Sequence, residues 1–474
     1  MKTKNAHRMH IAPPPAEDDI APLRISVIGT GYLGATHAAA MAELGFDVIG
    51  VDSDPSKIAA LERGEVPFYE PGLPELISRH VATGRLSFTT DLRGAVQASD
   101  VHFICVGTPQ HPSSHAADLS FVDAATRSVA ESLGHDGLIV GKSTVPVGTA
   151  ARLRGIVAEA VSPAVHAELV WNPEFLREGM AVEDTLRPDR IVIGGASSWA
   201  EERLRRVYGA AAASGVPFVS CDLPTAELVK VSANAFLATK ISFINAIAGL
   251  CEKADADVAV LADAIGYDPR IGRRFLNAGL GFGGGCLPKD IRALMHRAGE
   301  LGAYSAVKLM QQVDEINMDQ RQRVIDITLG ALGGSVLNAR VAVLGAAFKP
   351  DTDDVRDSPA LNVAAALHLR GALVTVCDPA AGATARRIFP TLGYADRLED
   401  AVRDADIVLV LTEWEEFREA DPVRLGALVE RRIVVDARNC LPVPSWRDAG
   451  WECWGLGRSA AAPTAMPDRR ANAA

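Results

Sequence analysis

The chain has 474 residues, 48% of them hydrophobic, which is too long for one ordinary core and enough to fill two or three. Its formal charge of −11 excludes the general basic surface that nucleic acid or an anionic membrane requires, so an anionic ligand must be held by locally placed Arg and Lys. Seven cysteines, an odd number without CxxC pairs, point away from a disulfide framework or a structural metal and read as the reduced thiols of a cytoplasmic protein.

Residues 1–22 carry Lys2, Lys4, Arg8 and three consecutive prolines without an apolar core, and read as a disordered arm rather than a signal or an anchor. The first strand, Arg24 to Ile28, runs into Gly29-Thr-Gly31-Tyr32-Leu33-Gly34 and an alanine-rich helix. A second strand ends in Asp52, eighteen residues after Gly34, where a dinucleotide fold places its ribose-binding acid. Because no arginine lies between Val51 and Ala60 to meet a further phosphate, the cofactor expected is NAD, with Lys57 either beside its ribose or a solvated charge. Strands follow near 87–89, 101–106, 138–142, 168–171, 190–194 and 216–220, giving a doubly wound parallel sheet. The loops holding Gly107 and Thr108, and then Thr144, stand at strand ends where such a sheet meets a cofactor.

A long helix is expected from Thr225 to Lys253, with no run apolar enough to span a membrane because Lys240 interrupts it. Lys230 and Asn234 lie four apart on one face of this helix, an ammonium and an amide together, whereas Glu227 and Lys240 read as a solvated stripe. Arg270, Arg273 and Arg274 form a candidate phosphate clamp just before the glycine-rich turn Gly281 to Asp290. In that turn Cys286 precedes Pro288, a residue suited to the first helical turn, so the thiol is placed at a helix N-terminus that favours its thiolate. Asp290 falls one helical turn along, on the same side. Taken alone, the loop reads better as a tight turn with a buried structural cysteine, and other parts of the chain reverse that reading. A second α/β unit opens at Arg340 without the dinucleotide glycine pattern, has strands at 373–377, 407–411 and 433–435, and is expected to hold the nucleotide part of a substrate. The fold class is therefore α/β: two Rossmann-like doubly wound parallel-sheet domains, 23–222 and 334–457, joined by a central long-helix domain, 223–333, with a disordered tail at 458–474.

Eight motifs in one order resemble the UDP-glucose/GDP-mannose dehydrogenase family, its UDP-glucose 6-dehydrogenase branch above all. They are Gly29 to Gly34, Val66 to Leu73 around Glu70, Val106 to Pro109, Ser143 to Gly148, Asn172 to Gly179, the Lys230 and Asn234 helix, Gly281 to Asp290, and Ala347-Phe-Lys349. The resemblance implies oxidation of the sugar hydroxymethyl group of UDP-glucose to a carboxylate, with two NAD and no metal, through a thiohemiacetal and a thioester on Cys286. It assigns Lys230 and Asn234 to the developing oxyanion, and Asp290, Glu174 and Thr144 to water and proton handling. It adds Tyr32, Leu33, Glu178, Lys289 and Arg356 to the cofactor site. On the sugar-nucleotide it places Glu174, Phe175, Leu176, Lys230, Asn234, Phe275, Leu276, Gly283, Lys349 and Arg438, with Arg270 reaching into a neighbouring subunit and a homodimer or larger assembly built on the long helix. Gly285 and Leu287 depart from the serine and the aromatic residue that many relatives carry around the nucleophile. Another nucleotide sugar, such as a UDP-N-acetyl-hexosamine or GDP-mannose, and a non-catalytic NAD or nucleotide-sugar sensor are the alternatives.

Overall fold

A computed structural model describes residues 23–458, so the expected arm and nearly all of the expected tail lie outside the described residues. Each strand is a short apolar run closed by a turn. In the first sheet these are β1 (Arg24–Ile28), β2 (Asp47–Val51), β3 (Leu86–Thr89), β4 (Val101–Ile104), β5 (Gly137–Gly141), β6 (Ala167–Trp171), β7 (Ile191–Gly194) and β8 (Phe218–Cys221). Their order is β3-β2-β1-β4-β5-β6-β7-β8. The first six run parallel, but β7 meets β6 antiparallel through Trp171 and Gly194 alone, and β8 then follows β7 in parallel. The wholly parallel sheet read from the sequence is corrected there. An antiparallel step needs no crossover to the far end of the sheet, so the connection that begins at Asn172 stays at the ligand-facing end.

The second sheet holds β9 (Arg340–Leu344), β10 (Leu373–Cys377), β11 (Gly393–Ala395), β12 (Ile407–Val410), β13 (Ile433–Asp436) and β14 (Glu452–Gly455). Its order, β11-β10-β9-β12-β13-β14, is parallel throughout, and the two edge strands β11 and β14 are absent from the sequence reading. Both are short and half-exposed, so neither has the continuous apolar run that marks a buried parallel strand.

Between the sheets lies the helix Leu223–Lys253, started by Asp222, whose side chain accepts a hydrogen bond from the Thr225 N–H at 2.7 Å. By length and composition this helix does pass for a membrane span, contrary to expectation. Its burial pattern is that of a core helix: 44% of the apolar window is inside the protein, and it packs on the helices Leu287–Glu300 and Tyr304–Ala331. Ala235, Ala238, Phe282, Ile291, Met310 and Val313 form the core at that junction. Glu227, read as solvated, is instead buried and accepts hydrogen bonds from Gly148 N–H at 2.7 Å and Ala150 N–H at 2.6 Å, tying the helix to the first sheet. Lys240 reaches the carbonyls of Ile271 and Gly272, both at 3.0 Å, and so pins the arginine segment to the same helix.

Candidate active site

At the carboxyl end of β1 the three glycines do different work. Gly29 has φ +90° and a Cβ there would stand 2.9 Å from Val106 Cα, while a Cβ on Gly34 would stand 1.7 Å from the Gly29 carbonyl oxygen. A Cβ on Gly31 would meet nothing within 4 Å, which leaves that side of the backbone open to a pyrophosphate arriving at the N-terminus of the helix Tyr32–Glu43. Asp52 closes β2 and its carboxylate accepts from Thr30 N–H (2.9 Å) and Lys57 Nζ (2.8 Å). Burial works against its charge, but these donors hold its pKa below the usual carboxylate range. Lys57 is thus the partner of Asp52 rather than a solvated charge. Leu33 packs on the first core, Tyr32 donates to Glu70, and Gly107 is exposed. Thr108 Oγ1 donates to the Thr144 carbonyl at 2.8 Å. Turn, open approach and strand-end acid together fit NAD.

A cleft of about 760 Å³ opens beside this end of the sheet, between the first sheet, the central helix and the second sheet. Lys230, Asn234 and Cys286 line it. Cys286 caps the helix Leu287–Glu300; its side chain is accessible from the cleft yet ringed by protein mass. Desolvation, then the carboxylates of Glu174, Asp290 and Glu178, push its thiol up to about 12 against the opposing charge of Lys230. Cys286 does stand at the helix N-terminus expected to favour a thiolate, but burial, and after it three carboxylates, push the thiol up instead. Lys230 pairs with Glu174 at 2.8 Å, both nearly buried; burial opposes its charge, but Glu174, Cys286 and Asp290 raise its pKa above the ordinary range. Asn234 Nδ2 donates to Asp290 Oδ2 at 2.8 Å, and Lys289 Nζ stands 2.8 Å from Asp290 Oδ1 and 3.4 Å from Thr108 Oγ1. Among the described residues no group of His, Cys, Asp or Glu is placed to hold a metal ion.

The seam between the sheets crosses the cleft at Glu178. Its backbone carbonyl accepts from Lys349 Nζ, and its carboxylate takes Arg356 at 3.3 Å and Thr352 Oγ1 at 3.3 Å. Burial and then Asp354 raise Glu178 to about 7, against Arg356 and Lys349. A Cβ on Gly285 would stand 2.2 Å from the Arg356 guanidinium carbon, so a glycine at that position makes room for Arg356.

Leu176, Phe275, Leu276, Gly283, Lys349 and Arg438 all line the cleft. Arg438 is heavily committed: it donates to the carbonyls of Leu411 (2.7 Å), Gly281 (2.8 Å) and Phe348 (3.1 Å) and so knits the cysteine turn to the second sheet. Phe175 lies off the cleft, its ring 3.8 Å beneath the Arg190 guanidinium. Thr144 lines a small hollow with Lys289 and Asp290. Arg270 points outward, its side chain 88% exposed and paired with Asp268, so a single chain does not bring it to the cleft; Arg273 lines the cleft but is held by Asp263 and Asn277. Two residues have roles that the sequence reading missed. Glu70 is buried and accepts from Gly179 N–H and Ala181 N–H, both at 2.7 Å, linking the glycine turn to the Glu178 segment. Lys142 is buried behind Glu174. Glu70 was visible inside its motif, three residues before the helix Leu73–Ala82, but its partners over a hundred residues away were not.

A sheet end that admits a dinucleotide, opening directly into a cleft that carries a cysteine, an ammonium and carboxylates, defines a dehydrogenase that uses NAD. The chain matches three family profiles: "UDP-glucose/GDP-mannose dehydrogenase family, NAD binding domain" at 23–212, the central domain of that family at 224–319 and its UDP binding domain at 342–443. It is 44% identical over 438 residues to the UDP-glucose 6-dehydrogenase of Rhizobium meliloti, covering 92% of this chain and 100% of that protein. A solved UDP-glucose dehydrogenase from Pyrobaculum islandicum superposes with a TM-score of 0.86 at 37% identity, covering 95% of this chain and 100% of the other. The UDP-D-ManNAc dehydrogenase of Pyrococcus horikoshii superposes with a TM-score of 0.81 at 27% identity, over 93% and 100%. The protein belongs to the UDP-glucose/GDP-mannose dehydrogenase family and is an NAD-dependent oxidoreductase.

Proposed function

We propose that the protein oxidises the hydroxymethyl group of UDP-glucose to the carboxylate of UDP-glucuronate through covalent intermediates on Cys286. The observation that carries this is the meeting, in one cleft, of the Cys286 thiol with the buried Lys230–Glu174 pair and the Asn234–Asp290 pair. NAD, when bound, supplies the hydride acceptor. The alcohol loses a hydride and a proton to give an aldehyde, and the Cys286 sulfur adds to the aldehyde carbon to give a thiohemiacetal. Loss of a second hydride and proton leaves a thioester, and water cleaves its carbon–sulfur bond to release the acid and restore the thiol. Lys230 and Asn234 are the donors for the oxygen that gains charge in these steps, a task well suited to groups held in a desolvated site. Glu174, Asp290 and Thr144 handle water and protons. Gly29 to Gly34, Asp52, Thr108, Lys289 and Arg356 hold the cofactor. The second sheet holds the nucleotide, with Lys349 and Arg438 at its edge of the cleft.

In this reading residues 23–222, 223–333 and 334–457 are the three domains, and the protein works in the cytoplasm as a homodimer. The exposed stripe Phe236, Phe243 and Leu250, spaced seven apart on the central helix, supports the dimer, as does the outward Arg270. The test is NADH formed per sugar consumed, with UDP-glucose run beside UDP-N-acetylglucosamine, UDP-N-acetylmannosamine and GDP-mannose. Two NADH per UDP-glucose are expected. Turnover with another sugar alone would move the substrate and keep the chemistry, and binding without NADH from any sugar would replace the enzyme with a sensor. Cys286→Ser is expected to abolish release of the acid while leaving NAD binding unchanged; full turnover by that variant sinks the thioester route.

A further inference from the structure

The chemistry above engages the front of Glu174 and leaves unexplained what stands behind it. A separate cavity of about 50 Å³, away from the cleft, is lined by His37, Lys142, Asn172, Glu174 and Tyr208. Lys142, on the strand-end loop after β5, is 7% exposed, and burying an ammonium is costly unless it has partners. Its hydrogen bonds go to neutral oxygens: Nζ donates to Asn172 Oδ1 at 3.1 Å and to the Tyr208 hydroxyl at 3.4 Å. The Tyr208 hydroxyl in turn donates to Asn172 Oδ1 at 2.5 Å, and Asn172 Nδ2 donates to the Val192 carbonyl at 2.8 Å. Asn172 is therefore clamped on both ends of its amide. Glu174 follows it by one proline, so the clamp fixes the root of the turn that carries Glu174 to Lys230.

The charges around Lys142 are equally specific. Burial pushes the Cys105 thiol and the Tyr208 phenol up and the His37 imidazole well down, so all three are neutral at physiological pH. At the outer rim Asp184 is taken by Arg177, Arg190 lies over the Phe175 ring, and Asp189 lines the opening. Burial lowers Lys142 to about 8; with Cys105 neutral, Glu174 favours its charge and Lys230 opposes it. Glu174 lines the same cavity as that ammonium and acts on its charge, and the carboxylate is paired with Lys230 at 2.8 Å.

We infer that Lys142 is a positioning residue for the reaction: through Asn172 it anchors the Glu174 turn, and its charge holds the Glu174 carboxylate from behind while Lys230 holds it from the front. This rests on the reading in which Glu174 handles water and protons. The test is the full-length Lys142→Met variant, nearly isosteric and uncharged. Its crystal structure is expected to show Glu174 released from Lys230 with the fold unchanged. Its kcat is expected to fall roughly 30-fold, in line with the loss that small misplacements of catalytic groups produce, while the KM values for NAD and nucleotide sugar stay within about threefold. The wild-type enzyme should lose kcat as pH rises through about 8, where Lys142 discharges, and the variant should lack that fall. An intact Glu174–Lys230 pair together with near-wild-type kcat and the same alkaline fall would overturn the inference. Should Lys142→Met fail to fold, Tyr208→Phe removes one arm of the clamp and keeps the charge; it should lower kcat by about threefold to tenfold and retain the alkaline fall, and unchanged kcat would count against the clamp. If the wild-type protein oxidises no nucleotide sugar, the functional reading fails by itself, and the crystal structure of the variant still decides whether Lys142 places Glu174.

Discussion

The two sheets carry the same device at the same place and use it oppositely. In each, an acid ends the second strand of the unit and accepts from the loop after the first strand: Asp52 from Thr30, and Asp378 from Ala346 and Ala347. Asp52 keeps an open approach over Gly31. Asp378 is sealed, its oxygens taking N–H groups of Ala346 (2.7 Å), Ala347 (2.9 Å), Ala380 (2.9 Å) and Ala381 (2.7 Å) and the Trp414 indole N–H (3.1 Å). Gly345 has φ +111° and packs against Thr412, as Gly29 packs against Val106, so the tight turn survives in both. Asp52 is itself well partnered, by Thr30, Asp54 and Lys57, so what the second sheet lacks is the open backbone beside its acid. A dinucleotide site keeps the approach over its glycine turn clear, and the same acid closed in by a second loop and an indole is a structural staple.

The largest effect that follows is on stability. Asp378→Ala strands five donors around a buried site and should cost about 3 kcal/mol or more in urea unfolding, with NAD affinity of the folded protein unchanged. Loss of NAD binding in step with stability would mean that the second acid is not merely a staple. Asp52→Ala should do the reverse, weakening NAD by roughly 10- to 100-fold in a titration, the worth of a hydrogen bond to a charged group, with little change in the nucleotide-sugar KM. Equal losses for both ligands would break the contrast between the sheets.

The smallest effect lies at the seam joining them. Glu178 has a folded pKa of about 7, above its ordinary value, so between about pH 4.5 and 7 the folded state binds more protons than the unfolded state, and stability falls as pH rises through that window. Glu178→Gln removes this loss. Its Tm relative to the wild type should therefore improve by a few degrees between pH 5 and pH 8. A difference that is flat with pH would show that the carboxyl is not held up by the Asp354 side of the seam.

Much of this was legible in the chain because apolar runs closed by glycine mark buried parallel strands, and because the roles of Gly29, Gly31 and Gly34 follow from backbone sterics alone. Cys286, Lys230 and Asn234 were legible as types and spacings, and the fold brings them to one cleft. Their electrostatics were not. The helix N-terminus at Cys286 is local in sequence, whereas burial by the fold, and then Glu174 and Glu178 from over a hundred residues away, push the thiol the other way. Glu227 looked solvated for the same reason: its partners are backbone N–H groups of another element, which no periodicity reveals. Lys142 sat unremarked just before the Ser143 to Gly148 motif because burial of a lysine is a property of packing. Arg438 lines the cleft, but three carbonyls have already claimed its guanidinium.

The glycines before Cys286 are pressed against residues that come much later in the chain: a Cβ on Gly279 would stand 2.7 Å from the Ala437 carbonyl oxygen, one on Gly283 2.4 Å from that of Asp357, and Leu280 N–H donates to Ala437 at 2.7 Å. During synthesis, then, the thiol emerges long before the surface that shapes its turn. A nascent chain halted before β13 therefore carries the glycine turn at the first sheet but lacks the Ala437 contacts that shape the turn before Cys286.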